Sequence, residues 1–157
     1  MPKTKPRAER GGAIVAVPAM ASNTARAESV EIQRASARAH RTAVAKFAKN
    51  VEQLVTLVGA PLVAYLADVA ETRSVKQWIV GEHAPNPRVQ SKLQLALMIA
   101  TFLHEQGEDG AIEAWFQGLN PALDDHAPAE LLREATADDF TKIGRKVLAA
   151  AREFVNK

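Results

Sequence analysis

Proline and glycine cut the stretch from Pro61 to Pro87, PLVAYLADVAETRSVKQWIVGEHAPNP, into pieces that fit two short helices joined by a tight turn. Pro61 suits the first turn of a helix, where a missing N–H costs nothing. Leu62, Val63, Leu66 and Ala67 then fall on its inward side. The connection runs from Asp68 to Glu71, and a second helix is expected from Thr72 to Val80, with Thr72 as its N-cap. Gly81 can adopt the left-handed conformation that ends a helix, and Pro85 and Pro87 stop it from resuming. In the second helix Val75, Trp78 and Ile79 share one face, which leaves Thr72, Arg73, Lys76 and Gln77 on the other.

An apolar back and a basic front on the second of two short helices describe a helix-turn-helix, whose second helix enters the DNA major groove. Arg73 and Gln77 are the side-chain types that pair with guanine and adenine edges. Arg88 and Lys92 follow closely and add cations suited to phosphates. The plainer reading is a packing hairpin with a solvated cationic face, and the connection is about one residue longer than the commonest form of the motif uses.

The remainder of the chain also reads as helix. From Glu28 to Val58 there is no proline or glycine, and Val30, Ala37, Val44, Phe47, Val51, Leu54, Val55 and Val58 form a stripe that grows more apolar along the chain. Arg88 to Glu105 (RVQSKLQLALMIATFLHE) carries Val89, Leu93, Ala96, Ala100 and Leu103 on one face and Leu95, Met98, Ile99 and Phe102 on a second. A helix that is apolar nearly all round is either central or shared with a partner subunit. Since groove-reading hairpins act as two-fold dimers, a homodimer through this helix is expected. Short helices follow at Ala111–Phe116 and from Pro128, and a last one runs from Asp138 to Asn156 with Phe140, Ile143, Val147, Ala150, Ala151 and Phe154 on one stripe. The expected fold is all-α: a basic tail without regular structure over 1–27, a helical extension over 28–58, a helix-turn-helix region over 59–105, and a helical C-terminal subdomain over 106–157.

Charge divides the chain. Residues 1–50 hold ten Lys/Arg against three acids, and residues 51–157 hold ten against fifteen, so a net charge of +2 conceals halves of +7 and −5. Glu105 to Asp139 holds ten acids and one base, Arg133. A polyanion is attracted by the first half and repelled by that acidic stretch, which therefore needs another partner. There is no cysteine, which excludes disulfides and thiolate chemistry and fits a reducing, cytoplasmic setting. No apolar run reaches a membrane-spanning length, and AIVAVPAM (Ala13 to Met20), which resembles a signal h-region but is short and broken by Pro18, is read as part of a tail, with a secretion signal as the alternative. No nucleotide-binding, metalloprotease or hydrolase motif is present, so neither catalysis nor a cofactor is expected. Asp124, Asp125 and His126 cluster in a loop but lack a second ligand group, and no metal is expected there.

One element points to a family. The pattern W-F-x-G-x-N-P-x-L-x-x-x-x-P-x-x-L-L is carried by Trp115, Phe116, Gly118, Asn120, Pro121, Leu123, Pro128, Leu131 and Leu132. Together with the SVKQWIVGEHAPNP hairpin it resembles the Xre/MbcA/ParS-type antitoxins of RES-domain toxins, over about residues 52–157. Ala135 departs from the pattern, since related sequences often have a glycine after the LLRE-like run. The resemblance implies an all-α antitoxin whose C-terminal subdomain binds and blocks an NAD-consuming RES toxin. It also implies autoregulation, through binding of operator DNA by the hairpin, and a toxin–antitoxin hetero-oligomer. By the same resemblance the last helix and tail, including Arg152, Asn156 and Lys157, are expected to contact toxin; Asn120 and Asp124 are further candidate toxin contacts, although Asn120-Pro121 and Pro128 more simply fix a turn. The alternative is a stand-alone helix-turn-helix regulator with no toxin partner.

Overall fold

The computed structural model describes residues 19–157, with side chains from residue 22. Seven α-helices and one 3-10 turn make up the described residues, with no strand: α1 (Ala19–Val58), α2 (Ala60–Leu66), α3 (Thr72–Ile79), α4 (Pro87–Glu105), α5 (Ile112–Gln117), the 3-10 turn (Pro121–Leu123), α6 (Pro128–Glu134) and α7 (Phe140–Val155). No helix among them is long and apolar enough to cross a membrane.

The first correction concerns α1. Residues 19–27, expected to lack regular structure, are helical. Pro18 is the last helix breaker before Gly59, and the alanine-rich sequence between them favours helix throughout. The rest of the expected tail, with most of the AIVAVPAM segment, lies outside the described residues. The chain forms two units, Met1–Ala39 and His40–Lys157. In the first, every described side chain is exposed, Val30 and Ile32 included. In the second, α1 contributes Phe47, Ala48, Val51, Leu54 and Val58 to the core, which is where the apolar stripe is strongest.

Three helix ends in this second unit use the same device. After α3, Gly81 sits at φ 77° while its N–H bonds to the Trp78 carbonyl and that of Glu82 to Gln77. After α4, Gly107 at φ 82° does the same against His104 and Leu103. After α2 the left-handed position is held by Asp68 at φ 56°, with its N–H on Tyr65 and that of Val69 on Ala64. This paired arrangement satisfies carbonyls that a helix end would otherwise leave open, and aspartate is among the few non-glycine residues that tolerate it.

Helix starts are equally local. Asn86 accepts from the Val89 N–H at 3.0 Å with Pro87 in the first turn of α4. Just before α7, Asp139 accepts from the Thr136 N–H at 2.6 Å and Thr136 Oγ1 from the Asp139 N–H at 3.4 Å, a reciprocal pair across the turn that precedes Phe140. The N-cap of α3 is Glu71 rather than Thr72, which lies inside the helix, and no side chain caps that end.

α4 lies at the centre of the second unit and packs against α2, α5, α6 and α7. Leu93, Ala96, Ile99, Ala100 and Leu103 are buried, and Leu95, Leu97 and Phe102 pack against the same cluster. Both apolar faces of this helix are thereby used within the chain. Met98 is the large apolar residue that α4 leaves exposed. The expected boundary at residues 105/106 falls inside the unit, because α4 and α2 pack directly on the helices that follow. α7 comes close enough to α4 that a Cβ on Gly144 would sit 2.9 Å from Leu95 Cδ2.

Candidate nucleic-acid and partner surfaces

The outer face of α3 is built from beneath. Val75 is fully buried and Trp78 nearly so, with the Trp78 ring edge-on to Phe47 of α1 at 6.3 Å between centroids. Anchoring two residues three apart fixes the rotation of a helix only two turns long. With that rotation set, Arg73 and Lys76 stand in solvent, while Thr72 and Gln77 are half-buried at the edges of the same face. Neither Arg73 nor Lys76 takes part in an ion pair among the described residues. Their hydrogen-bonding capacity is free for an external acceptor.

Arg88 and Lys92, expected beside them as phosphate contacts, have a different task. Lys92 is 7% exposed and donates to the Arg133 carbonyl. Arg88 Nη2 donates to the Ala135 carbonyl at 3.2 Å. Both carbonyls belong to the C-terminal turn of α6, whose orphan acceptors and negative dipole end favour cations. Ala135 stands where a glycine was expected, at φ −55° and not in the left-handed region. Side chains from α4 thus do the capping that a glycine turn would do. Burial pushes the Lys92 ammonium below its ordinary pKa, aided by repulsion from Arg88 and opposed by Asp68 and Asp139. Lys92 is therefore corrected from a DNA contact to a structural cation, and Arg88 is at least partly engaged the same way.

The same corner holds Asp68, which accepts from Arg133 Nη2 at 2.6 Å and Nε at 3.1 Å. The Arg133 guanidinium also lies 4.5 Å from the Tyr65 ring centroid. The turn after α2 is thus tied to α6 by a two-pronged hydrogen bond and a cation–π contact, which hold the connection leading into α3.

The second candidate surface is the groove between α5, the 3-10 turn and the end of α7, a cavity of about 220 Å³. Asn120 and Lys157 line it along with Trp115, Leu119, Pro121 and Phe154, whereas Asp124, Arg152 and Asn156 do not. Asn120 is engaged with its own loop: its side chain accepts from the Ala122 N–H at 2.9 Å and its carbonyl from those of Leu123 and Asp125. Asp124 and Asp125 both take left-handed backbone there, and the Asp124 carboxylate pairs with Lys146 of α7 at 3.2 Å. Asn120 is thus half-buried and engaged with its own loop, while the Asp124 side chain is exposed beside Lys146. Arg152, Asn156 and Lys157 are exposed on α7 and beyond it, with Lys157 3.3 Å from Glu153.

Sequence reasoning missed Leu119, which is 74% exposed at the groove rim, and the Trp115 indole N–H, which is buried without a partner. Leu119 falls between two turn residues, Gly118 and Asn120, where no helical period marks it. Asp124, Asp125 and His126 hold no metal-competent geometry, and among the described residues no group of three or more His, Asp or Glu does. His126 instead lies 3.5 Å from Glu130 one turn along α6. Comparison of the chain with protein-family models, with curated proteins and with solved structures returned no match.

Proposed function

We propose that this chain is an antitoxin-type binding protein without catalytic activity: a helix-turn-helix formed by α2 and α3 docks on operator DNA, while α5 to α7 form a subdomain that holds a RES-type toxin. The observation that carries the reading is the exposure of Arg73 and Lys76, with Gln77 beside them, above an inward face sealed by Val75 and Trp78. A helix so mounted can enter a major groove without disturbing the core beneath it. Support for the partner half comes from the Trp115-to-Leu132 pattern and from the exposed acids of the C-terminal part, Glu113, Asp125 and Glu134 among them. An enzyme that binds NAD needs cations for its pyrophosphate, so an acidic surface raises the rate of docking beside such a cleft.

Co-expression with the product of the adjacent reading frame tests the whole. Relief of growth arrest and a copurifying complex are expected. A harmless neighbour that forms no complex contradicts the partner half, and the chain then stands as a helix-turn-helix regulator on its own.

A further inference from the structure

A pocket of about 160 Å³ opens between α4 and the part of α1 that belongs to the second unit. Its floor is apolar: Phe47, Val51 and Leu93 line it and are buried. Its polar lining is one ammonium, Lys46, and three carboxamides, Asn50, Gln90 and Gln94, with no carboxylate among them. Gln90 is held in place, since its Nε2 donates to the Pro85 carbonyl at 2.7 Å. The side chains of Lys46, Asn50 and Gln94 take part in no hydrogen bond or ion pair among the described residues. Donors gathered around one cation, with no acid beside them, are matched by an anion, because N–H groups bond best to an ionised acceptor. The floor sets a second condition. A bare inorganic anion gains nothing from Phe47, Val51 and Leu93, whereas an anion on a small hydrocarbon body buries that body against them. Size sets a third: a cavity of about 150 Å³ admits benzene, so this one holds a single ring and no more.

We propose that this pocket binds a compact organic carboxylate, an acid about one ring in size, with its hydrocarbon body on Phe47 and its carboxylate on Lys46 and the amides of Asn50 and Gln94. Phe47 also meets Trp78 edge-on at 6.3 Å, so the ligand rests on the same ring that supports α3. Occupancy therefore restrains α3 from beneath. Binding is independent of DNA; only its consequence for base reading rests on the function proposed above.

The full-length, isotope-labelled chain is titrated with benzoate by nuclear magnetic resonance, with chloride at the same ionic strength as the blank. Saturable shifts are expected at the side-chain amides of Asn50 and Gln94 and at the Trp78 indole, while the Trp115 indole stays in place. Ala43→Leu changes an exposed residue of the lining, fills the space without disturbing the core, and is expected to abolish binding. Lys46→Met is expected to weaken benzoate roughly tenfold, and Lys46→Arg to keep it. Benzamide, which has the shape without the charge, is expected to bind roughly tenfold more weakly than benzoate. With benzoate bound, amide exchange along α3 is expected to slow. The site is overturned by the absence of saturable shifts, by equal shifts with chloride or inorganic phosphate, or by unchanged binding in Ala43→Leu. Equal affinity for benzamide overturns the carboxylate as the recognised group, and unchanged exchange in α3 at saturation overturns the link to that helix. Failure of base reading shows separately, as equal affinity for all duplexes with benzoate binding intact.

Discussion

Arg73 and Lys76 on α3 and Arg88 and Lys92 on α4 are the same kinds of side chain about one turn apart, yet the first pair stands in solvent and the second reaches for the carbonyls that close α6. Charge does not separate them. Position relative to the buried stripe of each helix does. Val75 and Trp78 turn Arg73 and Lys76 outward, whereas Lys92 sits at the spacing of Val89, Ala96, Ile99 and Leu103, inside the stripe that faces the core. A cation on the inward stripe must find acceptors, and the open end of α6 supplies them. The comparison teaches that a cationic residue is read for function only after its helix has been rotated into place by its apolar neighbours.

The sharpest way to break the comparison is to remove the anchor. Trp78→Ala leaves α3 without its largest buried side chain and is expected to cost about 3–5 kcal/mol of stability by denaturant unfolding. A loss near that of a surface substitution would mean that α3 is not held in rotation by its inner face. Next comes the buried cation. Lys92→Ala leaves the Arg133 carbonyl without its donor and is expected to cost about 1–3 kcal/mol. By contrast, Arg73→Ala and Lys76→Ala should stay within about 0.5 kcal/mol of the parent in the same assay. Arg88→Ala falls between, at about 1 kcal/mol, because its carbonyl bond is only partly buried.

The smallest expected effect is in pH. The folded Lys92 pKa lies below the ordinary lysine value of 10.5, so between the two values the native chain has released a proton that the unfolded chain still holds. Stability therefore rises with pH through that window. The contribution disappears in Lys92→Met, so a pH-unfolding series of the two proteins just below pH 10.5 should show a positive slope in the parent that the variant lacks. Identical slopes would place Lys92 in solvent.

Much of the fold was legible because the helices carry strong periods and clear punctuation. Pro61, Gly81, Pro87, Gly107 and Pro128 mark helix ends within a residue or two of where they fall. What was hard to read follows from side chains acting over distance. The closure of α6 by Arg88 and Lys92 joins residues more than forty positions apart, and no local signal at Ala135 announces it. The position of Lys92 on the inward stripe was visible, but its charge drew the reading towards DNA. The Thr136-x-x-Asp139 pair is a local pattern in the turn just before α7. On the partner side the Asn120 loop was recognisable as a turn, while the bonds that Asn120 makes within its loop and the ion pair of Asp124 depend on backbone geometry and on Lys146 in another helix.

The central claim is that the outer face of α3 reads bases while the cations of α4 hold the fold. Selection of duplexes from a random-sequence pool tests it directly, using the parent, Arg73→Ala/Gln77→Ala and Lys92→Ala side by side. The account predicts that the parent enriches a defined sequence. Arg73→Ala/Gln77→Ala keeps its thermal stability but loses discrimination by about 1–3 kcal/mol at the contacted positions, and Lys92→Ala loses stability but keeps the preference. A preference untouched by the α3 substitutions, or abolished by Lys92→Ala in protein that remains folded, would contradict it.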